Sequence, residues 1–180
     1  MIYVFLADGF EEIEALATVD ILRRAEIETV TVGIGTKMPT GTHGITVTAD
    51  ITEEEATKEG LHGVVLPGCL PGAWNLKASK KVEELTRYCA ENGKLVSAIC
   101  AAPSVLGDWG LLCGKRAICY PGFEDRLEGA EIIDAPAVAD GLTVTGKGAG
   151  AAVEFALLAV ATLRSKALAE SIREAMQCAR

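Results

Sequence analysis

The fold is organised around one stretch of the chain: Leu95-Val96-Ser97-Ala98-Ile99-Cys100-Ala101-Ala102-Pro103-Ser104. Residues 94–99 form a short, mostly apolar run preceded by Gly93, which predicts a buried strand. Pro103 fits the first turn of a helix, where a missing backbone N–H has no cost. Cys100 is therefore predicted to lie in a sharp turn between a strand and a helix.

A cysteine in such a turn is presented above the edge of the sheet. It also lies at a helix N-terminus, where free N–H groups and partial positive charge favour the thiolate. This is the geometry of the nucleophile elbow, with cysteine in place of serine. The alternative is a small buried cysteine that only fills space, which is a common role for a free thiol. The strand-to-helix context favours the reactive role for Cys100.

The composition predicts a single α/β domain over residues 1–180. The chain is long enough to bury a full core, and 49% of its residues are hydrophobic. The chain has 17 lysine and arginine residues and 25 acidic residues, which gives a net charge of −8, and it contains no basic run. This balance argues against nucleic acid or an anionic membrane surface as a partner. The first apolar run lacks a basic leader and no later run could span a bilayer, so we expect a soluble, cytoplasmic protein.

The cysteines are expected to be reduced thiols. They follow no CxxC or paired-finger spacing, and they are Cys69, Cys89, Cys100, Cys113, Cys119 and Cys178. In a chain without a secretory signal this pattern indicates neither a disulfide framework nor a zinc site. Neither a metal nor a cofactor is expected.

Alternating strands and helices predict a mostly parallel sheet covered on both faces, with sites at the carboxyl ends of its strands. The predicted strands are 2–7, 28–34, 63–66, 94–99 and 116–119. The predicted helices are 11–25, 53–59, 79–91, 151–163 and 166–178. A further helix is predicted to begin after Cys100 and to be completed by 104–112. A small edge hairpin is predicted to join 38–40 to 44–47, and a second to join 132–139 to 142–145.

Three predicted strand ends carry the candidate chemistry, namely 7–14, 66–72 and 99–102. A thiolate that attacks a carbonyl group needs hydrogen-bond donors for the developing oxyanion. The Ala101 amide is one candidate, and another lies in the Pro67-Gly68-Cys69 turn. The alternative for this turn is an ordinary connection rich in glycine and proline.

Glu14 lies one turn into the first predicted helix, which begins at the same edge of the sheet. A carboxyl group held next to a thiolate and away from water has a raised pKa. It then stays protonated, donates a hydrogen bond to sulfur and can move a proton. Glu11 and Glu12 are expected to be solvated partners of the helix dipole, and a surface position is the alternative for Glu14 as well.

Histidine is the usual partner of a nucleophilic cysteine, and the chain has two. His62 precedes the predicted strand 63–66, so a structural role at the opposite end of the sheet is expected. His43 reaches the crevice only if the edge hairpin folds over it or a second subunit contributes, and a surface turn is the alternative. Tyr120 stands at the sheet edge where a histidine would be expected. No Cys-His-Asp/Glu triad is therefore predicted.

Three separated motifs carry a resemblance to a known family: Leu6-Ala7-Asp8-Gly9-Phe10-Glu11-Glu12-Ile13-Glu14, Val65-Leu66-Pro67-Gly68 and Ala98-Ile99-Cys100-Ala101-Ala102-Pro103. They resemble the ThiJ/PfpI superfamily, in its Parkinsonism-associated deglycase branch and close to its YajL-like bacterial members. Residues 147–150 and 154–157 are similar to the last glycine turn and helix of that branch.

The resemblance implies a flavodoxin-like three-layer sandwich with a mostly parallel sheet and a small edge hairpin. It implies one ThiJ/PfpI-like domain of the class I glutamine-amidotransferase-like type over 1–180, usually as a homodimer. It further implies that Cys100 is a reactive, oxidation-sensitive thiol and that Glu14 hydrogen-bonds it. The amides of Cys69 and Ala101 are implied to form the oxyanion pocket.

The chain departs from the family pattern at two positions. Cys69 stands where many members have a second glycine, which places a second thiol near the site. Tyr120 stands before Pro121 where several members have a histidine, which argues against proteolysis and glutamine-amide hydrolysis. His43 falls where relatives often have an arginine. We therefore regard Gly68, His43 and Tyr120 as candidate substrate contacts.

The resemblance implies a cysteine-dependent, stress-protective enzyme of the glyoxalase III or protein deglycase type. Its substrate would be a small carbonyl compound such as methylglyoxal, or a glycated thiol or amine, converted through a Cys100 thiolate. The alternative is a redox-sensing or chaperone-like protein whose Cys100 is oxidised to sulfenate or sulfinate.

Overall fold

The computed structural model describes residues 1–178 and contains a seven-stranded sheet and a separate two-stranded sheet. The strands are β1 Ile2–Ala7, β2 Thr29–Ile34, β3 Ile51–Thr52, β4 Gly63–Leu66, β5 Leu95–Ile99, β6 Arg116–Ala117, β7 Glu131–Ile132, β8 Ala137–Asp140 and β9 Thr143–Gly146. The helices are α1 Glu12–Arg24, α2 Gly72–Ala78, α3 Lys80–Glu91, α4 Pro103–Asp108, α5 Ala152–Leu163 and α6 Lys166–Ala175.

The strand order of the large sheet is β3-β2-β1-β4-β5-β9-β8. All neighbouring pairs are parallel except β8 with β9, which form the predicted hairpin with Asp140 opposite Thr143. The central strands β1, β4 and β5 therefore end at the same edge of the sheet. The prediction of a mostly parallel sheet is confirmed.

Helices cover both faces of this sheet and bury two apolar clusters. The first cluster includes Leu76 of α2, Leu85 of α3 and Leu106 of α4. The second includes Ile21 of α1, Phe155 of α5 and Ile172 of α6. Successive side chains of β1 alternate between the clusters and are all buried, as expected for a strand covered on both sides. The predicted three-layer arrangement is confirmed.

The predicted helix over 53–59 is wrong. The chain forms strand β3 on the edge of the sheet and then turns. Thr52 and Glu55 have the spacing of a helix capping box, and the Thr52 amide does donate to Glu55 Oε2 at 2.8 Å. Only Ala56 is buried in this stretch, so it has no apolar stripe with which a helix could pack. Helix α2, by contrast, was not predicted, because it begins inside a segment rich in glycine and proline.

The predicted edge hairpin is a loop with one antiparallel bridge between Thr40 and Thr46, and we call residues 39–47 the edge loop. It lies against the start of α1, because the Thr42 amide donates to the Phe10 carbonyl at 2.8 Å. The stretch 132–139 is also divided, since Glu131–Ile132 pairs with β6 instead. Within residues 1–178 no helix has the length and apolar character needed to cross a membrane.

Candidate functional site

Cys100 occupies the predicted turn between β5 and α4. Its φ is +64°, a left-handed conformation that is uncommon for any residue other than glycine and is concentrated at functional sites. The backbone is fixed on both sides, because the Cys100 amide donates to the Gly146 carbonyl at 2.9 Å and the Tyr120 amide donates to the Cys100 carbonyl at 2.8 Å. The side chain is half-buried, so the sulfur is not sealed inside the core.

The Pro67-Gly68-Cys69 turn lies directly against Cys100. A Cβ atom on Gly68 would lie 2.5 Å from the Cys100 Cβ and 2.6 Å from the Ile99 carbonyl oxygen, so only glycine fits at this position. The Gly68 amide donates to Glu14 Oε2 at 2.8 Å. The close approach of this turn therefore brings the ends of β4 and β5 and the start of α1 into one site.

Glu14 is fully buried, which contradicts the surface alternative. Burial raises the pKa of Glu14 to about 7; the Gly68 amide and the Cys100 thiol oppose this rise, and the charge of Glu11 adds to it. Its Oε1 atom has no hydrogen-bond partner among residues 1–178. A buried carboxyl group that faces a thiol with one oxygen free can take up or release a proton there.

The thiol of Cys100 has a pKa raised to about 12. Burial is the largest cause and the negative charge of Glu14 is the next, while the amides of Cys69 and Ala101 lower the pKa by hydrogen bonding to the sulfur. This direction is opposite to the lowered pKa expected at a helix N-terminus. Helix α4 has only six residues, and the effect of burial exceeds that of its free amides.

With a pKa of about 7 for Glu14 and about 12 for Cys100, the two groups hold two protons below pH 7 and one proton, mainly on the sulfur, between about pH 7 and 12. When the proton is on sulfur, Glu14 is a carboxylate that can act as a base. When the proton is on Glu14, the sulfur is a thiolate that faces the amides of Cys69 and Ala101. A single proton transfer converts the resting thiol into the nucleophile.

Glu11 and Glu12 are buried, with 7% and 4% of their surface exposed, which corrects the expectation that they are solvated. Glu11 caps α1, since its Oε2 accepts from the Glu14 amide at 2.8 Å. This contact fixes the turn of helix that carries Glu14. Glu12 reaches across to the edge loop, where its Oε1 accepts from the His43 amide at 2.7 Å.

The His43 ring is bound to Glu12 and is largely in solvent. Its Nδ1 lies 2.8 Å from Glu12 Oε2, and 68% of the side chain is exposed. The hydrogen bond to Glu12 raises the pKa of His43. The pair holds the edge loop against α1, whereas His62 lies at the other end of the sheet, with its Nδ1 2.9 Å from the N-terminal amine.

Glu11, Glu12 and His43 also place three potential metal-ligating atoms within 4.8 Å of one another. Their carboxylate oxygens already accept hydrogen bonds from the amides of Glu14, His43 and Ile45. These contacts are better explained as holding the edge loop against α1 than as forming an ion site.

Tyr120 forms one wall of an open cleft of about 630 Å³ beside the Cys100 turn. The cleft is lined by Tyr120 and Pro121, by residues 134–136, and by residues 147–151 after β9. Tyr120 packs closely on Gly148, where a Cβ atom would lie 3.3 Å from its ring. Lys147 Nζ and Asp134 Oδ1 form an ion pair at 2.7 Å. The sequence indicated Tyr120 but contained no sign of this cleft, because its walls are far apart in the chain.

The family model described as DJ-1/PfpI matches residues 1–162. The Parkinson disease protein 7 homolog of Danio rerio is 34% identical over 175 residues, covering 94% of this chain and 93% of the relative. A protein of Pyrococcus abyssi named deglycase is 30% identical, covering 81% and 89% of the two chains. A Caenorhabditis elegans protein named glutathione-independent glyoxalase is also 30% identical, covering 85% and 82%.

Solved structures agree with these matches. A DJ-1 superfamily protein of Salmonella typhimurium has a TM-score of 0.92 at 35% identity, covering 99% of this chain and 98% of that one. Oxidised DJ-1 of Toxoplasma gondii has a TM-score of 0.95 at 32% identity, with the same coverage. The chain spans less than half the length of the Arabidopsis thaliana relatives named DJ-1 homolog A and homolog B, of which it covers 44% and 37%.

Proposed function

Because this chain belongs to the DJ-1/PfpI family, we propose that it is a cysteine-dependent, stress-protective enzyme that acts on methylglyoxal or on its adducts with thiols and amines. Relatives named deglycase and glyoxalase support this class of activity. The observation that carries the proposal is the fully buried Glu14 carboxyl, with one oxygen unpartnered among residues 1–178, facing Cys100. Such a group is the local base that a thiol of raised pKa requires.

The reaction begins with proton transfer from the Cys100 sulfur to Glu14. The sulfur then attacks the aldehyde carbon of methylglyoxal, and the amides of Cys69 and Ala101 donate to the developing oxyanion. Both amides lower the pKa of the Cys100 thiol, which supports their role as donors to an oxyanion formed beside the sulfur. Protonation of that oxygen gives a hemithioacetal bound to Cys100.

Glu14 is placed to carry the following proton transfers. Moving the proton from the aldehyde carbon to the neighbouring carbonyl carbon converts the hemithioacetal into a thioester of lactic acid. Water then hydrolyses the thioester, so that one methylglyoxal and one water give one lactate and the free thiol of Cys100. For a thiol or amine adduct, the released products are lactate and the free thiol or amine. The scheme needs no cofactor.

The candidate substrate contacts have separate roles in this proposal. Gly68 lets its turn pack against the Cys100 Cβ, and its amide holds Glu14. Tyr120 lines the cleft into which the remainder of an adduct would extend. His43 stabilises the edge loop and does not replace a catalytic histidine. Without that histidine, neither proteolysis nor glutamine-amide hydrolysis is proposed.

The test measures lactate formed from methylglyoxal by the purified, reduced protein. We expect Cys100→Ser to form none, and Glu14→Gln to lower kcat/KM by about 10²- to 10⁴-fold because it lacks the proton acceptor. Cys113→Ser is the control, since Cys113 is an exposed thiol outside the site, and it should match the parent. Undiminished turnover by Cys100→Ser would refute the mechanism.

Redox sensing is the second candidate function. Cys100 is half-buried, so a small oxidant can reach it, and the similar Toxoplasma gondii structure is of an oxidised protein. Oxidation to sulfenate or sulfinate would then alter stability, partner binding or a chaperone-like activity. Mass spectrometry after mild peroxide tests this function, which requires Cys100 to be modified before the other five cysteines.

We also propose that the protein acts as a homodimer in the reducing cytoplasm, where free thiols persist. The outer face of α1 exposes Ile13 and Leu16, which lie one turn apart, and Ile45 of the nearby edge loop is also exposed. A second copy is the proposed cover for this apolar face. Light scattering should give twice the monomer mass, and Ile13→Glu should shift the protein to monomer.

A further inference from the structure

Two half-buried cysteines, Cys69 and Cys100, lie in two turns of the chain that pack against each other. Cys69 directly follows Gly68, where an added Cβ atom would lie 2.5 Å from the Cys100 Cβ and 2.9 Å from the Ala101 amide nitrogen, and the Cys69 amide is close enough to lower the pKa of the Cys100 thiol. The preceding Gly68 touches the Cys100 Cβ closely enough to exclude any side chain. A disulfide requires two cysteine Cα atoms about 4.4–6.8 Å apart, and the contact of Gly68 with Cys100 brings the backbone of the neighbouring Cys69 to the Cys100 turn.

The Cys69 side chain has no structural role that explains its presence. It belongs to neither of the two apolar clusters. Its φ of +70° is a conformation in which glycine is unstrained and a side chain is not favoured. A thiol at this position therefore carries a backbone cost without a gain in core packing.

The other thiols are poorly placed to react with Cys100. Cys89 and Cys119 are fully buried in the first apolar cluster, whereas Cys100 packs against the second cluster on the opposite face of the sheet. Cys113 is exposed in the loop before β6, and Cys178 follows α6 at the end of the described residues. Cys69 is thus the cysteine whose backbone the fold places next to the Cys100 turn.

We propose that Cys69 is a resolving cysteine that forms a reversible disulfide with Cys100. This proposal rests on the reactive Cys100 of the proposed function and adds its regulation. The oxidant is a hydroperoxide: Cys100 sulfur attacks the peroxide oxygen, the O–O bond breaks, and sulfenic acid and water form when the oxidant is hydrogen peroxide. The Cys69 sulfur then attacks the Cys100 sulfur, and the hydroxyl leaves as a second water.

The disulfide removes the nucleophile and protects it at the same time. With Cys100 in an S–S bond, no thiolate is available for a carbonyl substrate. The competing reaction of sulfenic acid with more peroxide gives sulfinic acid, which thiols do not reverse. A dithiol, by contrast, reduces the disulfide and restores both cysteines, so the site is switched off and recovered.

The test treats the reduced protein with about one equivalent of hydrogen peroxide and follows mass and free thiols. We expect a loss of about 2 Da and of two free thiols, both restored by dithiothreitol. Trypsin leaves Cys69 in residues 59–77 and Cys100 in residues 95–115, which also contain Cys113. The mapping is therefore repeated with Cys113→Ser, in which a link between these peptides must join Cys69 to Cys100.

Removal of the resolving thiol provides the second arm. With several equivalents of peroxide applied equally to all three proteins, Cys69→Ala and Cys69→Ser should gain about 32 Da at Cys100 in a form that dithiothreitol does not reverse, whereas the parent forms the disulfide. Equal sulfinate formation in the parent and both variants, without a linked peptide, would overturn the proposal. Because the readout is mass, loss of lactate formation alone would count against the proposed enzyme and not against the disulfide.

Discussion

Replacing Glu14 with glutamine should make the protein more stable at neutral and alkaline pH. Glu14 has its pKa raised by burial from an ordinary value of 4.5 to about 7. Below pH 4.5 the carboxyl is protonated in both the folded and the unfolded chain, so its stabilising contribution is complete. As the pH rises from 4.5 to 7, the unfolded chain ionises first and stability falls by about 1.4 kcal/mol per pH unit.

The shift amounts to a penalty of about 3 kcal/mol above pH 7, and the Glu14→Gln variant lacks this penalty because a glutamine amide does not titrate. The assay is urea denaturation of the reduced parent and Glu14→Gln from pH 4.5 to 8.5, with stability taken from the midpoint and slope. The unfolding free energy of Glu14→Gln minus that of the parent should increase by about 3 kcal/mol as the pH rises across this range.

The exposed Glu128→Gln is the matched control and should follow the parent at every pH. A difference between Glu14→Gln and the parent that is independent of pH would refute the assignment of Glu14 as a buried acid with a raised pKa. Gain of stability combined with loss of turnover would show that the protein tolerates an unfavourable ionisable group because the reaction needs it.

Three further predictions concern the surroundings of the site. Gly68→Ala should lower the unfolding free energy by about 1–3 kcal/mol and slow lactate formation, because its Cβ would overlap Cys100; urea denaturation and kinetics measure both effects. The pair of His43 with Glu12 should hold the edge loop most firmly below pH 6.5 and lose that effect as pH rises through the raised pKa of His43; the protection of edge-loop amides from hydrogen exchange, relative to their intrinsic exchange rates, should fall over this range in the parent and not in His43→Gln. Tyr120→Ala should raise KM for a glycated peptide more than for methylglyoxal, because only the larger substrate reaches the cleft wall; equal changes would exclude the cleft as a substrate site.

Local signals were sufficient to predict the centre of the fold. The apolar run before Cys100 and the position of Pro103 each depend on neighbouring residues, and the structure has the strand, the turn and the start of the helix in the expected places, although α4 ends at Asp108 and not at the predicted 112. The same kind of local signal led to the wrong prediction of a helix at 53–59. A capping contact can form in a turn, and a helix also needs an apolar face, which that stretch lacks.

Properties that depend on distant parts of the chain could not be predicted. The burial of Glu12 results from its contact with His43, 31 positions away, and the cleft beside Tyr120 is closed by residues that follow β9. The pKa of Cys100 is the clearest case. The helix end was visible in the sequence, but the degree of burial that outweighs it was not.

A raised thiol pKa is compatible with a reactive Cys100, and it explains how the site can be selective. A sulfur that is ionised at rest reacts with any oxidant or electrophile that reaches it. In the proposed mechanism the nucleophile forms only when the proton moves to Glu14, and that transfer would be favoured when an acceptor carbonyl places its oxygen between the amides of Cys69 and Ala101. The resting thiol is therefore held back by the same carboxyl group that activates it. Under peroxide stress the thiol of Cys69 would limit the damage when this control fails.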